Sequence, residues 1–376
     1  MRKIGVRQIA RLANVSIGTV DRALNGRNGI SESTRKHILA IAERIGYRPD
    51  PAARALSVGR VPIRLGLCIP EESHYYFDNM RHGIFAEARR LERLGVQLVY
   101  RPFTTYGVEQ VAVVSDLLNS DIQGLIVAPG EPAQLTSLID EAEERNIRVV
   151  CVDSDARDSH RSTVVCVDTE VVGKVAAELM SGFVAPKSEV AVIGGLCGVE
   201  AHQKKIESFC ALYCLLNGWD KAVRVVEACG EEEETFQKCF TLLGECKSLA
   251  GLYVNTATNC LPACRAICAH GLCGKIMLIT TDLFRSMVPY FERGTIRVSI
   301  HQRPFTQGAI AVRLLVDHLV NGGPLPPSYY LAPHIVMRSN LYAFREIRHT
   351  IYQADQILPH DHQTPGPHPF SGRAPM

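Results

Sequence analysis

The stretch RQIARLANVSIGTVDRALNG, from Arg7 to Gly26, has the pattern of two short helices separated by a sharp turn. Apolar residues recur at helical spacing over Val6–Ala13, which predicts one buried face on a first helix. Asn14 tolerates the left-handed backbone that a tight turn requires. Ser16 is a favourable N-cap, because its hydroxyl can accept from the backbone N–H of Thr19. We therefore predict a helix, a tight turn and a second helix.

A third helix is predicted to begin after the N-cap Ser31 and to end at Gly46. Three such helices around a tight turn are typical of helix-turn-helix DNA-binding modules. The first 60 residues hold twelve Lys and Arg against four Asp and Glu, a net charge of +8, whereas the whole chain carries +2. A small, strongly basic module indicates a polyanionic partner, so DNA binding is favoured over a plain three-helix bundle.

The outward face of the second helix carries the residues expected to read DNA. In this motif the start of that helix enters the major groove, where Arg22 can bond guanine and Ile17 can contact a thymine methyl. Gly18 is interpreted as allowing the helix to approach the groove closely; the alternative is that position 18 is not read. Phosphate contacts are expected from Ser16, Thr19, Asn25 and Arg27.

The segments IARLANVSIGTVDRALNG, SESTRKHILAIAERIGYRP and AARAL resemble, in register and without gaps, the head of the lactose/galactose repressor family. The resemblance implies a short hinge helix that folds on operator DNA. Ala53 and Leu56 share one face of that helix, and Leu56 would wedge between base steps in the minor groove. Asp21 and Asp50 stand where the family usually has serine and asparagine, which places negative charge near the phosphates.

Beyond Arg64 the sequence alternates apolar strands, such as IRLGLCIP and EVAVIGG, with helical segments. Continuously apolar strands predict parallel sheets covered on both faces, and the series restarts after STVVCVD, so two doubly wound lobes are expected. This body resembles, more loosely, the type I periplasmic sugar-binding fold. The resemblance implies two lobes joined by three crossover strands, with a ligand in the cleft at the C-terminal ends of the strands.

The same resemblance implies the residues of the cleft. Tyr76 and Phe77 would sandwich a sugar face, and Asp153 and Asp155 would accept from sugar hydroxyls. Lys205 stands where sugar binders often carry arginine, and a lysine cannot make the paired hydrogen bonds of a guanidinium group. The further positions are Asn255, Thr256, Asp282 and Gln302. A structural alternative stays open for the aromatic residues as core and for Asp153 and Asp282 as helix caps.

Catalytic and cofactor motifs do not appear in the sequence, since there is no GxSxG, HExxH or Walker pattern, and VIGGLCG lacks the GxGxxG spacing. We therefore expect neither an enzyme nor a cofactor. Buried free thiols are favoured over a metal site at Cys260, Cys264 and Cys268, and a histidine site in the tail at His360, His362 and His368 is a minor alternative. No apolar run reaches the ~20 residues of a membrane helix, and no secretory signal is seen, so a cytoplasmic location is expected.

The sequence as a whole predicts an all-α helix-turn-helix head (1–48), a hinge or linker (49–61), a two-lobed α/β domain for effector binding and dimerisation (62–346) and a disordered tail (351–376). The expected function is that of a sequence-specific transcription regulator, a repressor that binds a pseudopalindromic operator as a homodimer and responds to a sugar-like effector. The alternatives are a solute-binding protein without a DNA function and a sugar-modifying enzyme.

Overall fold

The computed structural model describes residues 6–24, 29–45, 62–71, 75–195, 199–220, 222–228 and 231–348. Its N-terminal head is built from three helices whose apolar faces form a small core of their own, centred on the fully buried Ile9, Val20 and Ile38. The helices are α1 (Val6–Ala13), α2 (Ile17–Leu24) and α3 (Glu32–Arg44).

The tight turn between α1 and α2 forms as its residues predict. Asn14 adopts a left-handed backbone with φ of 52°. The Ser16 hydroxyl accepts from the backbone N–H of Thr19 at 3.1 Å. Ser31 caps α3 in the same way, by accepting from the N–H of Thr34 at 3.1 Å. These two caps satisfy backbone donors that a helix start leaves unpaired, and so fix where α2 and α3 begin.

The first lobe of the body contains a six-stranded, all-parallel sheet in the order β11-β5-β4-β3-β1-β2. Its central strands are continuously buried, which explains their unbroken apolar sequences. Its elements are β1 (Ile63–Cys68), α4 (Tyr76–Arg90), β2 (Val96–Tyr100), α5 (Val108–Leu118), β3 (Gly124–Val127), α6 (Pro132–Glu144), β4 (Arg148–Val152), β5 (Thr163–Val167), α12 (Pro304–Asn321) and β11 (Tyr329–Leu331).

The second lobe contains another six-stranded sheet, in the order β12-β10-β9-β8-β6-β7, with only β12 antiparallel to its neighbour. Its elements are α7 (Thr169–Phe183), β6 (Val190–Gly194), α8 (Glu200–Asn217), β7 (Val223–Glu227), α9 (Glu232–Glu245), β8 (Gly251–Val254), α10 (Cys260–Ala269), β9 (Met277–Thr281), α11 (Val288–Glu292), β10 (Val298–His301), β12 (His334–Val336) and α13 (Arg345–Arg348).

The chain passes between the lobes three times: after β5, after β10, and between β11 and β12. Helix α12 follows a strand of the second lobe yet packs closely on α4 of the first. A Cβ at Gly83 or at Gly308 would overlap the backbone of the facing helix, so both positions need glycine for this approach. The predicted fold class, a helical head with two doubly wound lobes, is confirmed.

Two element boundaries differ from the sequence prediction. Helix α4 begins at Tyr76 rather than at Asp78, so two expected cleft residues lie in its first turn. The segment predicted as one helix over Arg285–Arg293 opens as a 3₁₀ turn, Arg285–Met287, before α11. Pro289 lies in the first turn of α11. Proline is tolerated there, because the N–H groups of a first turn have no partner within the helix and its missing N–H is not needed.

Several predictions concern residues outside the described ranges: the hinge 49–61 with Ala53 and Leu56, the residues Asn25 and Arg27, and the tail 351–376 with its histidines. The boundaries of the four predicted segments stay predictions for the same reason. Among the helices that the structure describes, none is both long enough and apolar enough to span a bilayer.

Candidate nucleic-acid interface and effector cleft

Helix α2 divides its residues between the core of the head and solvent. Val20 and Ala23 are buried against the other two helices, whereas Ile17, Gly18 and Arg22 are exposed. The Ile17 side chain is 51% exposed. The predicted reading face therefore lies on the solvent side of the helix.

Gly18 has no role in packing within the protein. A Cβ added there would meet the Ser16 hydroxyl at 3.8 Å, an ordinary contact, and the backbone has no positive φ that would require glycine. Glycine nevertheless costs a helix roughly 1 kcal/mol relative to alanine. Packing within the described part of the chain therefore does not require glycine at this position.

The two lobes place polar residues directly after four strands, one in the first lobe and three neighbouring strands in the second. Asp153 follows β4 in the first lobe, while Asn255, Asp282 and Gln302 follow β8, β9 and β10 in the second. Both aspartates adopt a left-handed backbone, with φ of 66° at Asp153 and 64° at Asp282. Because the C-terminal ends of parallel strands meet at one edge, these side chains converge on the cleft between the lobes.

Asp282 is fully engaged by its neighbours. Its two carboxylate oxygens accept from the backbone N–H of Gln302 at 2.9 Å and from the Gln302 side-chain amide at 2.8 Å. The buried ring of His301 lies behind it, with Nδ1 3.6 Å from Asp282 Oδ1 and Nε2 3.2 Å from Glu346 Oε1. Asp282 thus has the contacts of a structural carboxylate as well as a place at the cleft.

The electrostatics of this cluster favour a charged imidazole. Burial alone would lower the pKa of His301, but Asp282 and Glu346 outweigh it and raise the pKa to about 9. The pKa of Glu346 is lowered, because His301 overcomes the effect of burial on that carboxyl. Sequence reasoning missed both residues. His301 precedes a predicted site residue, but nothing near Glu346 in the sequence indicates its partner.

Lys205 projects from α8 and is buried, with 3% of its surface exposed. Its Nζ donates to the backbone carbonyl of Asn255 at 3.1 Å and is 3.4 Å from Gln302 Oε1. Burial lowers the pKa of Lys205, an effect opposed by the negative charges of Asp153 and Asp282. The ammonium therefore links two strand ends of the second lobe.

Asp153 differs from Asp282 in its partners. It is partly exposed to the cleft, and its carboxylate accepts from the Tyr76 hydroxyl and from the Ser154 hydroxyl, the latter at 3.5 Å. Burial of the carboxyl raises its pKa, although Lys205 and the Tyr76 hydroxyl act in the opposite direction. The Tyr76 oxygen itself accepts from the Gln307 amide at 3.0 Å.

The predicted aromatic sandwich does not form. The rings of Tyr76 and Phe77 are perpendicular, with centroids 5.1 Å apart and an interplanar angle of 89°, and both are buried. Their position in the first turn of α4 turns Phe77 into the core instead. The rings that stack across the lobes are Tyr75 and Phe284, 3.8 Å apart and nearly parallel. Sequence reasoning missed Phe284, although it lies two residues after Asp282.

Two more predicted cleft residues make contacts that support the loops. The Asn255 amide accepts from the N–H of Gly195 and donates to the carbonyl of His202, both at 3.0 Å. Asp155 forms a bidentate pair with Arg161, with Oδ2 2.8 Å from Nη2. Thr256 is buried beside Asn255. Asp155 and Asn255 therefore have few acceptor positions left for a ligand.

A cavity of about 130 Å³ opens beside Asp153 between the lobes. Five carboxylates and two cations line it: Asp153, Asp155, Asp168, Glu170, Glu200, Arg157 and Lys204. Within the described part of the chain no group of three or more His, Cys, Asp or Glu could hold a metal ion. Cys260 and Cys264 are fully buried, as expected of apolar thiols, while Cys268 is only half-buried.

Comparison with known proteins matches both parts of the chain. Residues 6–50 match the model of bacterial regulatory proteins of the lacI family. Residues 65–323, more than half of the chain, match the periplasmic binding protein domain.

The relatives include catabolite control protein A of Staphylococcus epidermidis, 26% identical over 211 residues, which cover 54% of this chain and 59% of that protein. The namesake from Priestia megaterium is 37% identical over 81 residues, which cover 22% of this chain and 24% of that protein. The match to the S. epidermidis protein thus spans about three fifths of its length.

Among solved structures, a glucose-galactose binding protein from Geobacillus stearothermophilus superposes with a TM-score of 0.67 at 22% identity, covering 75% of this chain and 99% of that one. A solute-binding protein from Burkholderia graminis, in complex with D-arabinose, has a TM-score of 0.69 at 22% identity and covers 75% and 97%. At this identity these structures establish the fold of the two lobes.

Proposed function

Since this chain belongs to the periplasmic binding protein domain family over residues 65–323 and its head matches the lacI family of bacterial regulatory proteins over residues 6–50, we propose that it is a DNA-binding transcription regulator controlled by a small polyhydroxy effector. The observation that carries the proposal is the exposed face of α2, where Ile17, Gly18 and Arg22 face solvent. The name of the catabolite control relatives is consistent with a regulatory role.

In this proposal the head reads the major groove. Arg22 bonds a guanine, Ile17 contacts a thymine methyl, and Ser16 and Thr19 meet phosphates at the start of α2. Further DNA contacts are proposed for Asn25, Arg27, Ala53 and Leu56. The protein is proposed to bind a pseudopalindromic operator as a homodimer, because two heads related by a two-fold axis fit two half-sites. It is proposed to act there as a repressor.

The cleft is proposed to bind the effector. Asp153, Tyr76, Lys205, Thr256 and Gln302 supply polar groups at its edge, and the stacked Tyr75 and Phe284 close one side. An effector that binds one lobe arrangement better than the other shifts the equilibrium between them. The two arrangements would hold the paired hinge segments differently, and so couple effector binding to operator affinity.

The proposal is tested with the full-length protein and an operator selected from random duplexes. We expect the logarithm of the binding constant to fall linearly with the logarithm of salt concentration, since phosphate contacts release counterions. A sugar that raises the midpoint of thermal unfolding should also change operator affinity.

Three results would contradict the proposal. Operator binding that is indifferent to salt would exclude the head as the contact surface. A sugar that binds without any effect on DNA affinity would favour a plain solute-binding protein. Chemical turnover of the bound sugar would favour a sugar-modifying enzyme.

Replacing Gly18 with glutamine should weaken binding to the selected operator and change the base preferred at the facing position. A glutamine can pair with adenine, and a good bidentate pair is worth about 1–3 kcal/mol of discrimination. The measurement is selection and affinity on paired duplexes, with Leu39→Gln as a control, because Leu39 is exposed on α3 and outside the proposed face. Unchanged affinity and preference would mean that position 18 is not read.

A further inference from the structure

We propose that Cys268 and Cys273 form a reversible oxidation site, at which a hydroperoxide converts two thiols into an intramolecular disulfide. Cys268 lies in the last turn of α10, and Cys273 follows in the connection to β9, at the edge of the sheet opposite the cleft. Both thiols are free and half-buried, so part of each side chain is open to solvent. The inference does not depend on the proposed function, because it concerns a different part of the second lobe.

The sulfur atoms of the two residues are in contact. Their Sγ atoms lie 2.6 Å apart, and Cys268 Sγ is also 3.8 Å from the Thr295 hydroxyl. A disulfide bond is about 2.0 Å long, so little movement separates this contact from the bond. Within the described ranges, no hydrogen bond joins the sulfur atoms of any other two cysteines. These two thiols are therefore the described pair best placed to form a disulfide.

The end of α10 holds the two thiols in this position, because Gly271 adopts a left-handed backbone with φ of 65°. Its N–H donates to the Cys268 carbonyl at 3.0 Å. The N–H of Leu272 donates to the Ile267 carbonyl, also at 3.0 Å. These two bonds form a Schellman motif, which reverses the chain after a helix. Because the backbone fixes this reversal, Cys273 is held next to Cys268.

Cys273 is expected to react first and Cys268 second. Burial, and next the hydrogen bond with Cys273, raise the pKa of the Cys268 thiol, although Thr295 and Arg293 act in the opposite direction. A thiol that keeps its proton can donate to the neighbouring sulfur and so favour the thiolate there, which is the nucleophilic form. Gly274, which follows Cys273, is exposed, so a small oxidant can approach that thiol.

The oxidation takes place in two balanced steps. The Cys273 thiolate attacks one oxygen of the hydroperoxide; the O–O bond breaks, a sulfenic acid forms, and the leaving hydroxide or alkoxide takes up the proton that the thiol released. The Cys268 sulfur then attacks the sulfenic sulfur, and the S–S bond forms as the S–O bond breaks. The departing hydroxide takes the Cys268 proton. Two thiols and one hydroperoxide thus give one disulfide, one water, and a second water or an alcohol.

A metal site would need more ligands than this pair provides. Structural zinc takes four ligands from Cys, His or carboxylate side chains. Among the residues that the structure describes, no group of three or more such side chains could hold a metal ion. Cys264, one turn before Cys268, is fully buried. Disulfide formation, by contrast, requires only the two sulfur atoms that are in contact.

The test uses the full-length protein, first reduced and then exposed to hydrogen peroxide. Remaining thiols are alkylated, and the tryptic peptides are analysed by mass spectrometry. Trypsin cuts after Arg265 and Lys275, so one peptide holds Cys268 and Cys273 and no other cysteine. We expect this peptide to lose two hydrogen atoms and to escape alkylation. Dithiothreitol added after the peroxide should reverse both changes.

The chain contains a matched control for this measurement. Cys210 and Cys214 are one turn apart on α8 and half-buried, and trypsin also releases them on one peptide, 206–221. Their conversion to a disulfide should be slower by roughly tenfold or more, since their sulfurs are not joined. Equal rates in the two peptides, an unchanged 266–275 peptide, or a link from Cys268 to the peptide that carries Cys264 would each overturn the inference.

Two variants test which thiol attacks first, using dimedone, a reagent that labels sulfenic acids. In Cys268→Ser the second thiol is absent, so Cys273 should accumulate as the sulfenic acid and be labelled. In Cys273→Ser, labelling of Cys268 should be roughly tenfold slower. Faster labelling of Cys268 would contradict the assigned order of attack. The disulfide mapping uses the native sequence, so it decides the inference even where a serine variant fails to fold.

Discussion

Alanine at position 22 should lower affinity for the selected operator ten- to a hundredfold, while leaving the fold of the head unchanged. Arg22 is exposed on α2 and does not contribute to the core of the head, which Ile9, Val20 and Ile38 form. A bidentate arginine–guanine contact is worth about 1–3 kcal/mol, which corresponds to this loss. Affinity for the operator and for single-base variants is measured by titration, and helical content by circular dichroism.

The control for this prediction removes the same charge elsewhere on the head. Arg44 is exposed at the end of α3, so Arg44→Ala changes the net charge equally without touching the proposed reading face. Loss of a base contact should leave the salt slope nearly unchanged and relax specificity at one base pair, whereas loss of a phosphate contact lowers the slope by about 1. Equal, sequence-independent losses in both variants would assign Arg22 to phosphate.

The free energy of unfolding should fall by about 3 kcal/mol as pH rises from about 6.5 to 9, through the loss of charge on His301. The pKa of His301 is raised from 6.5 to about 9 in the folded protein, so its stabilising effect is complete below pH 6.5 and is lost as pH passes 9. Glu346 acts in the other direction: its pKa is lowered from 4.5, so its contribution is lost on acidification.

Urea unfolding at a series of pH values checks this prediction, with His301→Gln as the test variant. The difference in stability between the native protein and His301→Gln should be largest near pH 6 and should shrink above pH 9. His160→Gln is the control, since the His160 side chain is 84% exposed. A pH dependence that survives unchanged in His301→Gln would show that the buried imidazole does not carry the charge between Asp282 and Glu346.

Local sequence was sufficient for the head and for the order of elements in the body. The turn at Asn14, the cap at Ser16 and the apolar spacing of α1 depend on residues within four positions of each other, so no distant contact can override them easily. The strands were equally visible, because a parallel strand buried on both faces is apolar throughout. What the sequence could not indicate was the first turn of α4, where Tyr76 and Phe77 are both buried by tertiary packing.

The cleft shows the limit of the same reasoning. Asp153, Asp282 and Gln302 could be placed at strand ends by position in the sequence, and the structure brings them to the cleft between the two sheets. Their roles could not be placed, because those depend on partners that are distant along the chain: Lys205 for Gln302, and Tyr76 for Asp153. Two aspartates with the same backbone conformation thus differ in their partners.

The sequence by itself determined the helix-turn-helix head, its basic charge and the two-lobed class of the body, because caps, turns and apolar periodicity act over a few residues. The tertiary structure alone decided that Tyr75 stacks on Phe284, that Glu346 reaches His301, and that the Tyr76 hydroxyl meets Asp153. Packing and electrostatic pairing depend on distance in space, and the three crossings between the lobes bring together residues that the sequence keeps far apart.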